Sequence, residues 1–186
     1  MSTKTKLTYD DYAALPNDGW RYELLAGELY MNPAPSPMHQ RVSKRLQRQL
    51  EAFFEENRLG EVFDAPVDVI FGQHDVAEPD IVVVSDPSQI SRRGLEGVPA
   101  LVVEVLSPST RAYDRKIKLR RFLELGVRSY WILDPEARHL ICQHPQGGRY
   151  VVVAEGRDGD RVIDPAWPEL AIDLADLWRG SPSSSG

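Results

Sequence analysis

The chain has 186 residues, about one domain's worth, of which 42% are hydrophobic and 27% charged, the composition of an ordinary globular protein. Its net charge of −6 counts against a partner held mainly by surface cations, and its one cysteine, Cys142, excludes an internal disulfide and a cysteine-rich zinc site. The opening MSTKTKLTYDD has no apolar signal core, and no apolar run approaches the ~20 residues that span a bilayer, so a cytoplasmic protein with no membrane partner is expected.

Thr8 to Leu15 reads as a short helix, with Thr8 and Asp11 in capping-box spacing and Pro16 after its end. Arg21–Leu25 and Glu28–Met31 read as two strands joined by Ala26-Gly27, an N-terminal β-hairpin. The prolines at 33, 35 and 37 make the next segment irregular. A long amphipathic helix follows from about Met38 to Arg58, its stripe Val42, Leu46, Leu50 and Phe53, with Gly60 expected as terminator. Val62–Phe71 reads as one extended strand or a bent pair, and Gly72–Glu78 as a turn. Asp80–Ser85 and Ala100–Leu106 are apolar strands. Ser107–Thr110 offers helix caps, and a second helix runs from about Arg111 to Leu125, ended by Gly126. Arg128–Leu133, Leu140–His144 and Tyr150–Ala154 are further strands, and Leu174–Trp178 a short terminal helix. The expected fold is α/β: a mixed β-sheet flanked by two main helices, in a single domain over 1–179. The tail 180–186, rich in serine and glycine, has the composition of a disordered segment or a cloning remnant.

Glu104 is the most informative residue. It interrupts Leu101-Val102-Val103-Glu104-Val105-Leu106, a run apolar on both faces, as in a strand covered on both sides. A carboxylate there is costly unless paired or bound to a metal. The plainer alternative is a buried ion pair with an arginine, or a strand end that reaches solvent. Asp80, after Pro79, opens the other apolar strand; alone it reads as a turn residue. Two acids on adjacent central strands form an oxygen site for a hard cation, to which the Val105 carbonyl adds a ligand. At about 100° per residue, Leu119, Phe122, Leu123 and Leu125 span an apolar arc with Lys118 inside it. A lysine facing a sheet either orients a water or steadies a charged phosphate. Its plainer alternatives are a snorkelling stem or an i,i+4 pair with Asp114. His39, at the start of the first long helix, is a ligand, phosphate donor or proton shuttle, or else a satisfied core residue. Glu23 between Tyr22 and Leu24 is weak alone, because strand alternation yields that pattern. The basic clusters Arg41, Lys44, Arg45, Arg48 and Arg111, Arg115, Lys116, Lys118, Arg120, Arg121 read first as solvated helix faces.

Together these pieces resemble the Uma family of restriction endonucleases, in the PD-(D/E)xK nuclease superfamily. The resemblance covers nearly the whole ordered chain. It rests on Arg21-Tyr22-Glu23-Leu24-Leu25 with Gly27-Glu28, Pro37-x-His39, Pro79-Asp80, Glu104-Val105-Leu106-Ser107-Pro108-Ser109-Thr110, Asp114-x-x-x-Lys118, and Tyr130-Trp131-Ile132-Leu133-Asp134-Pro135. It implies a restriction-endonuclease-like core. It implies Mg²⁺ or Mn²⁺ on Asp80 and Glu104 and a catalytic Lys118; the mechanism expected from this adds Glu23 and the Val105 carbonyl as metal ligands and His39 as an assisting catalytic residue. It implies hydrolysis of phosphodiester bonds in nucleic acid, foremost DNA, for which a homodimer is the simplest way to cut two strands. Three positions depart from the pattern: Leu106 stands where the superfamily has a lysine, Ala26 where the family often has an acid, and Phe122 where it often has a tyrosine. Lys118 is then a relocated lysine. The alternatives are an inactive nuclease-fold module that binds DNA or protein, and a phosphoesterase acting on RNA or a small ester.

Overall fold

The computed structural model describes residues 5–16, 18–107 and 114–180, without the side chains of 114 and 115. In chain order, α1 (Tyr9–Ala13) leads to the hairpin β1 (Arg21–Leu25) and β2 (Glu28–Asn32), then to α2 (Pro37–Phe54). There follow β3 (Glu61–Asp64), β4 (Val69–Gly72), β5 (Asp75–Ala77) and β6 (Ile81–Val84). A 3-10 turn (Pro87–Gln89) precedes β7 (Ile90–Ser91), β8 (Gly94–Glu96) and β9 (Leu101–Val105). A π-helical turn, Asp114–Lys118, runs into α3 (Leu119–Glu124). Strands β10 (Tyr130–Asp134), β11 (His139–Gln146), β12 (Arg149–Arg157), β13 (Arg161–Ile163) and β14 (Ala171–Asp173) precede α4 (Leu174–Trp178).

The expected α/β architecture is present, with more than one mixed sheet. The central sheet has the order β12-β11-β10-β9-β6-β3, and only β9 and β10 run parallel. A second sheet, β2-β1-β5-β4-β8-β7, lies against it. This sheet was not expected from the sequence. Gly72–Glu78, expected as a turn, contains Asp75–Ala77, which forms β5 between β1 and β4. Val62–Phe71, expected as one extended strand or a bent pair, divides between sheets, β3 joining the central one and β4 the second.

Strand alternation sets the layers. Ile81, Val83, Leu101, Val103 and Val105 pack with Val42, Leu46, Leu50 and Phe54 of α2 and with Leu174, Leu177 and Trp178 of α4. On the opposite face, Val82 and Val84 meet Val69 and Leu95 of the second sheet. Val102 and Leu106 share that face with Leu25, Ala77, Phe122 and Tyr130. Tyr9 and Tyr12 of α1 cover the outer face of the second sheet at Leu24, Ile70 and Val76. The α2 stripe finishes on Phe54, with Phe53 partly buried beside it.

Capping follows the sequence at α1, where Thr8 and Asp11 form the reciprocal box. The hairpin turn puts both Ala26 (φ 55°) and Gly27 (φ 81°) in the left-handed region, as a two-residue loop between twisted strands requires. Gly60 plays a different part from the one expected. The helix stops at Phe54, and the left-handed residue after it is Arg58 (φ 56°). Gly60 instead lies against β6, where an added Cβ would sit 2.6 Å from the Val84 carbonyl oxygen. Gly60→Ala is therefore expected to destabilise the fold by about 1–3 kcal/mol through overpacking, read as a lower urea midpoint. An unchanged midpoint would show that the β3–β6 edge yields freely. The start of the second helix at 111–113, the cap residues at 108–110, the Asp114 side chain and the tail 181–186 lie outside the described residues.

Candidate active site

Alternation along β1 turns Arg21, Glu23 and Leu25 toward the central sheet, and Leu24 away from it. Glu104 faces them from β9, on the same side as Val102 and Leu106. Lys118 comes from the π-helical turn and enters between the sheets. Its Nζ lies 2.9 Å from Glu23 Oε1 and 2.9 Å from Glu104 Oε1. All three side chains are removed from water, at 0%, 2% and 3% exposure for Glu23, Glu104 and Lys118. Glu23 also accepts from the Glu78 N–H at 2.9 Å and from Asn32 Nδ2 at 2.6 Å. The helix carrying Lys118 is clamped to the second sheet by Arg121, whose Nε and NH2 both donate to the Asp75 carboxylate at 2.6 Å. Such a fork-on-carboxylate pair fixes orientation as well as distance.

Asp80 stands just before β6. Its Oδ2 accepts from the Val105 N–H at 2.8 Å and lies 3.1 Å from His39 Nε2, while Arg21 NH1 is 3.6 Å from Oδ1. Burial alone would raise the Asp80 carboxyl. The His39 hydrogen bond and charge, nearby Lys118 and the Val105 N–H outweigh it and hold Asp80 below the ordinary carboxylate value. Glu78 moves the other way: burial raises it, and the Arg21 contact offsets only part of that. His39 Nδ1 is buried with no hydrogen-bond partner among the described residues. A cleft of about 620 Å³ opens onto Asp80 and His39, lined also by Arg21, Gln40, Ser43 and Lys44. Among the described residues, no three His, Cys, Asp or Glu side chains converge closely enough to cage an ion by themselves.

The depressed Asp80 carboxyl has a consequence for stability. Its folded value lies below the ordinary 3.8, so its contribution is present above about pH 4 and is lost as pH falls through the folded value. Asp80→Asn lacks that titration. Between about pH 5 and 2, its unfolding free energy is expected to fall less steeply than that of the unaltered chain; parallel curves would show that Asp80 is not held ionised by these contacts.

The structure brings Asp80, Glu104, Lys118, His39 and Glu23 into one locality, with Val105 adjoining Asp80 through its N–H. Leu106, a departure from the expected motif, is buried in the apolar cluster with Phe122 and Tyr130. Arg21, Glu78 and Asn32 join the site without having been expected there. Period-two alternation from Glu23 could have found Arg21, but nothing local points to Glu78 or Asn32. They arrive through β-pairing.

The family model Uma2, described as "Putative restriction endonuclease", matches residues 9–175, a span that holds every one of these residues. The chain belongs to this family. An uncharacterized protein of Synechocystis sp., slr1290, is 32% identical over 104 residues, which are 55% of this chain. The match spans about half of that relative, 54% of its length. Among solved structures, a protein from Anabaena variabilis described as "a putative nuclease belonging to DUF820" superposes with a TM-score of 0.74. The superposition covers 92% of this chain and 97% of that one at 22% identity, and so shows a shared fold. The fold and family of this Uma2 chain are thus nuclease-like, as its motifs led one to expect.

Proposed function

We propose that this Uma2 chain is a metal-dependent endonuclease that hydrolyses phosphodiester bonds in DNA. The observation that carries the reading is Lys118, buried with its Nζ 2.9 Å from both Glu23 and Glu104. Burying a lysine and two acids costs several kcal/mol per ion before pairing returns any of it, so apolar residues of similar size would serve a purely structural purpose as well or better. Asp80, held below its ordinary value at the cleft, feels the Lys118 charge, and perturbed groups in clefts concentrate where chemistry is done.

The donor chemistry fits Mg²⁺ or Mn²⁺. Asp80 and Glu104 would hold the ion, with the Val105 carbonyl as a further ligand and Glu23 supporting the set through Lys118. The N–H and C=O of one strand residue point to the same side, and the Val105 N–H already points at Asp80. Two carboxylates and a carbonyl suit a cation that keeps several waters and takes its remaining ligands from a substrate phosphate. When bound, such an ion acidifies water and neutralises charge on the phosphate.

The protein's own groups do the rest. Lys118 holds the Glu104 carboxylate in one orientation and places a positive charge where a phosphate gains negative charge in the transition state. His39 fixes Asp80 through Nε2 and supplies a second nitrogen for proton movement at the cleft floor. Gln40, Ser43 and Lys44 offer donors to the sugar-phosphate backbone along the cleft. Leu106 gives no ground for a retired site, because a lysine there would enter an apolar cluster while Lys118 already reaches Glu104. A twofold dimer is the simplest assembly for cutting both strands.

The test is incubation of supercoiled plasmid with Mg²⁺, with Mn²⁺, and with a chelator. Relaxed or linear plasmid only in the metal lanes is expected. Absence of cleavage with either metal, across plasmids of varied sequence and methylation and single-stranded DNA, would overturn the proposal.

A further inference from the structure

A second concave site lies at the other end of the central strands. The Val102 N–H donates to the Ser129 carbonyl at 3.0 Å, and Glu104 pairs with Ile132, so Ser129 sits roughly 10 Å along the strands from the Glu104 level. There a cavity of about 660 Å³ is lined by Pro99, Arg128, Ser129, His144, Ala166 and Trp167.

The chemistry of its wall is set by Asp164, which is almost wholly buried. Its carboxylate accepts from Trp131 Nε1 at 2.6 Å, Ser129 Oγ at 3.0 Å and the Ala166 N–H at 2.8 Å. His144 Nε2 lies 2.8 Å from Oδ1 and 3.0 Å from Oδ2, so this nitrogen carries a proton and donates to the carboxylate. Ser, His and Asp here do not make a nucleophilic triad. Both Ser129 and Asp164 meet the same His144 nitrogen, and Ser129 is only 2% exposed. The arrangement is instead an orientation device: Asp164 locks the imidazole by Nε2 and leaves Nδ1 without a hydrogen-bond partner among the described residues.

Two further groups set the ligand class. Arg128 is exposed and makes no ion pair among the described residues. Its planar fork suits phosphate. Trp167 is held rigid by edge-on contacts with Phe54 at 5.2 Å and Trp131 at 6.1 Å, an indole wall of the kind on which nucleobases stack. The volume is within the range of small-ligand sites. We infer that this cavity binds a nucleoside monophosphate, with the phosphate on Arg128, the base against Trp167, and a polar edge of the base or sugar on His144 Nδ1. The site is separate from the Asp80–Glu104 locality and stands whether or not that locality cuts DNA.

Isothermal titration of the full chain tests this with each of the four common ribonucleoside monophosphates, their uncharged nucleosides, and inorganic phosphate. Saturable one-to-one binding of at least one monophosphate is expected, with its nucleoside and inorganic phosphate each at least about tenfold weaker. Arg128→Gln should weaken the monophosphate by at least about tenfold with an unchanged unfolding midpoint, and His144→Ala by at least about threefold. Glu104→Gln should bind as the unaltered chain does. No saturable binding, binding unaffected by Arg128→Gln, phosphate binding as tight as the nucleotide, or binding lost only in Glu104→Gln would each overturn the inference.

Discussion

Replacing Glu104 by glutamine is expected to lower metal-dependent plasmid cleavage by at least about a hundredfold while the chain stays folded. Glutamine keeps the shape of the side chain and one oxygen toward Lys118 Nζ, now 2.9 Å from Glu104 Oε1. Glu23 remains 2.9 Å from the same ammonium, so Lys118 keeps a counter-charge and the interlayer packing survives. The charge that would draw a divalent ion to β9 is gone. The measurement pairs initial cleavage rates with thermal unfolding midpoints for the two proteins. A variant that cuts at the original rate removes Glu104 from the chemistry; one that loses both cleavage and its cooperative unfolding leaves the rate comparison to Asp80→Asn, for which the same hundredfold loss is expected.

Lys118→Met is expected to cost about 3–5 kcal/mol of stability, the largest structural effect of any single change proposed for this chain. Methionine fills most of the volume, so the loss is electrostatic. Glu23 and Glu104, both nearly devoid of solvent contact, would face each other without the ammonium between them. For a chain of this size the midpoint of thermal unfolding should fall by roughly 10 °C. Adding Glu23→Gln to Lys118→Met should restore part of the loss, because it removes one of the two negative charges that then face each other. That non-additivity is the mark of a coupled buried network. A midpoint within about 2 °C of the original would mean that water reaches the cluster and that Lys118 is an ordinary half-solvated lysine.

Much of the site was legible because burial of charge leaves a trace in one dimension. Glu104 inside an apolar run and Lys118 inside an apolar helical arc each break a pattern that packing would otherwise keep, and both are buried in the fold. Lys118 faces inward as its place in the arc requires, although its turn is π-helical, where the 100° rule is only approximate. Leu106 became intelligible only in three dimensions, as one more apolar side chain in the Phe122 and Tyr130 cluster.

The sequence by itself determined the elements whose hydrophobic period repeats over several residues. These are α2, the apolar strands β6, β9 and β10, the first hairpin, the caps of α1, and the motifs that place the chain in its family. The tertiary structure alone decided the second sheet and what it buries. Strands as short as β5, β7 and β8, of three, two and three residues, carry no readable alternation. They exist because partners distant in the chain complete their hydrogen bonds, and long-range pairing leaves no local signal. That sheet brings Arg21, Glu23 and Glu78 to Asp80, Glu104 and Lys118. Which acid meets which base was therefore settled by how two layers stack, since charges are matched across space and not along the chain.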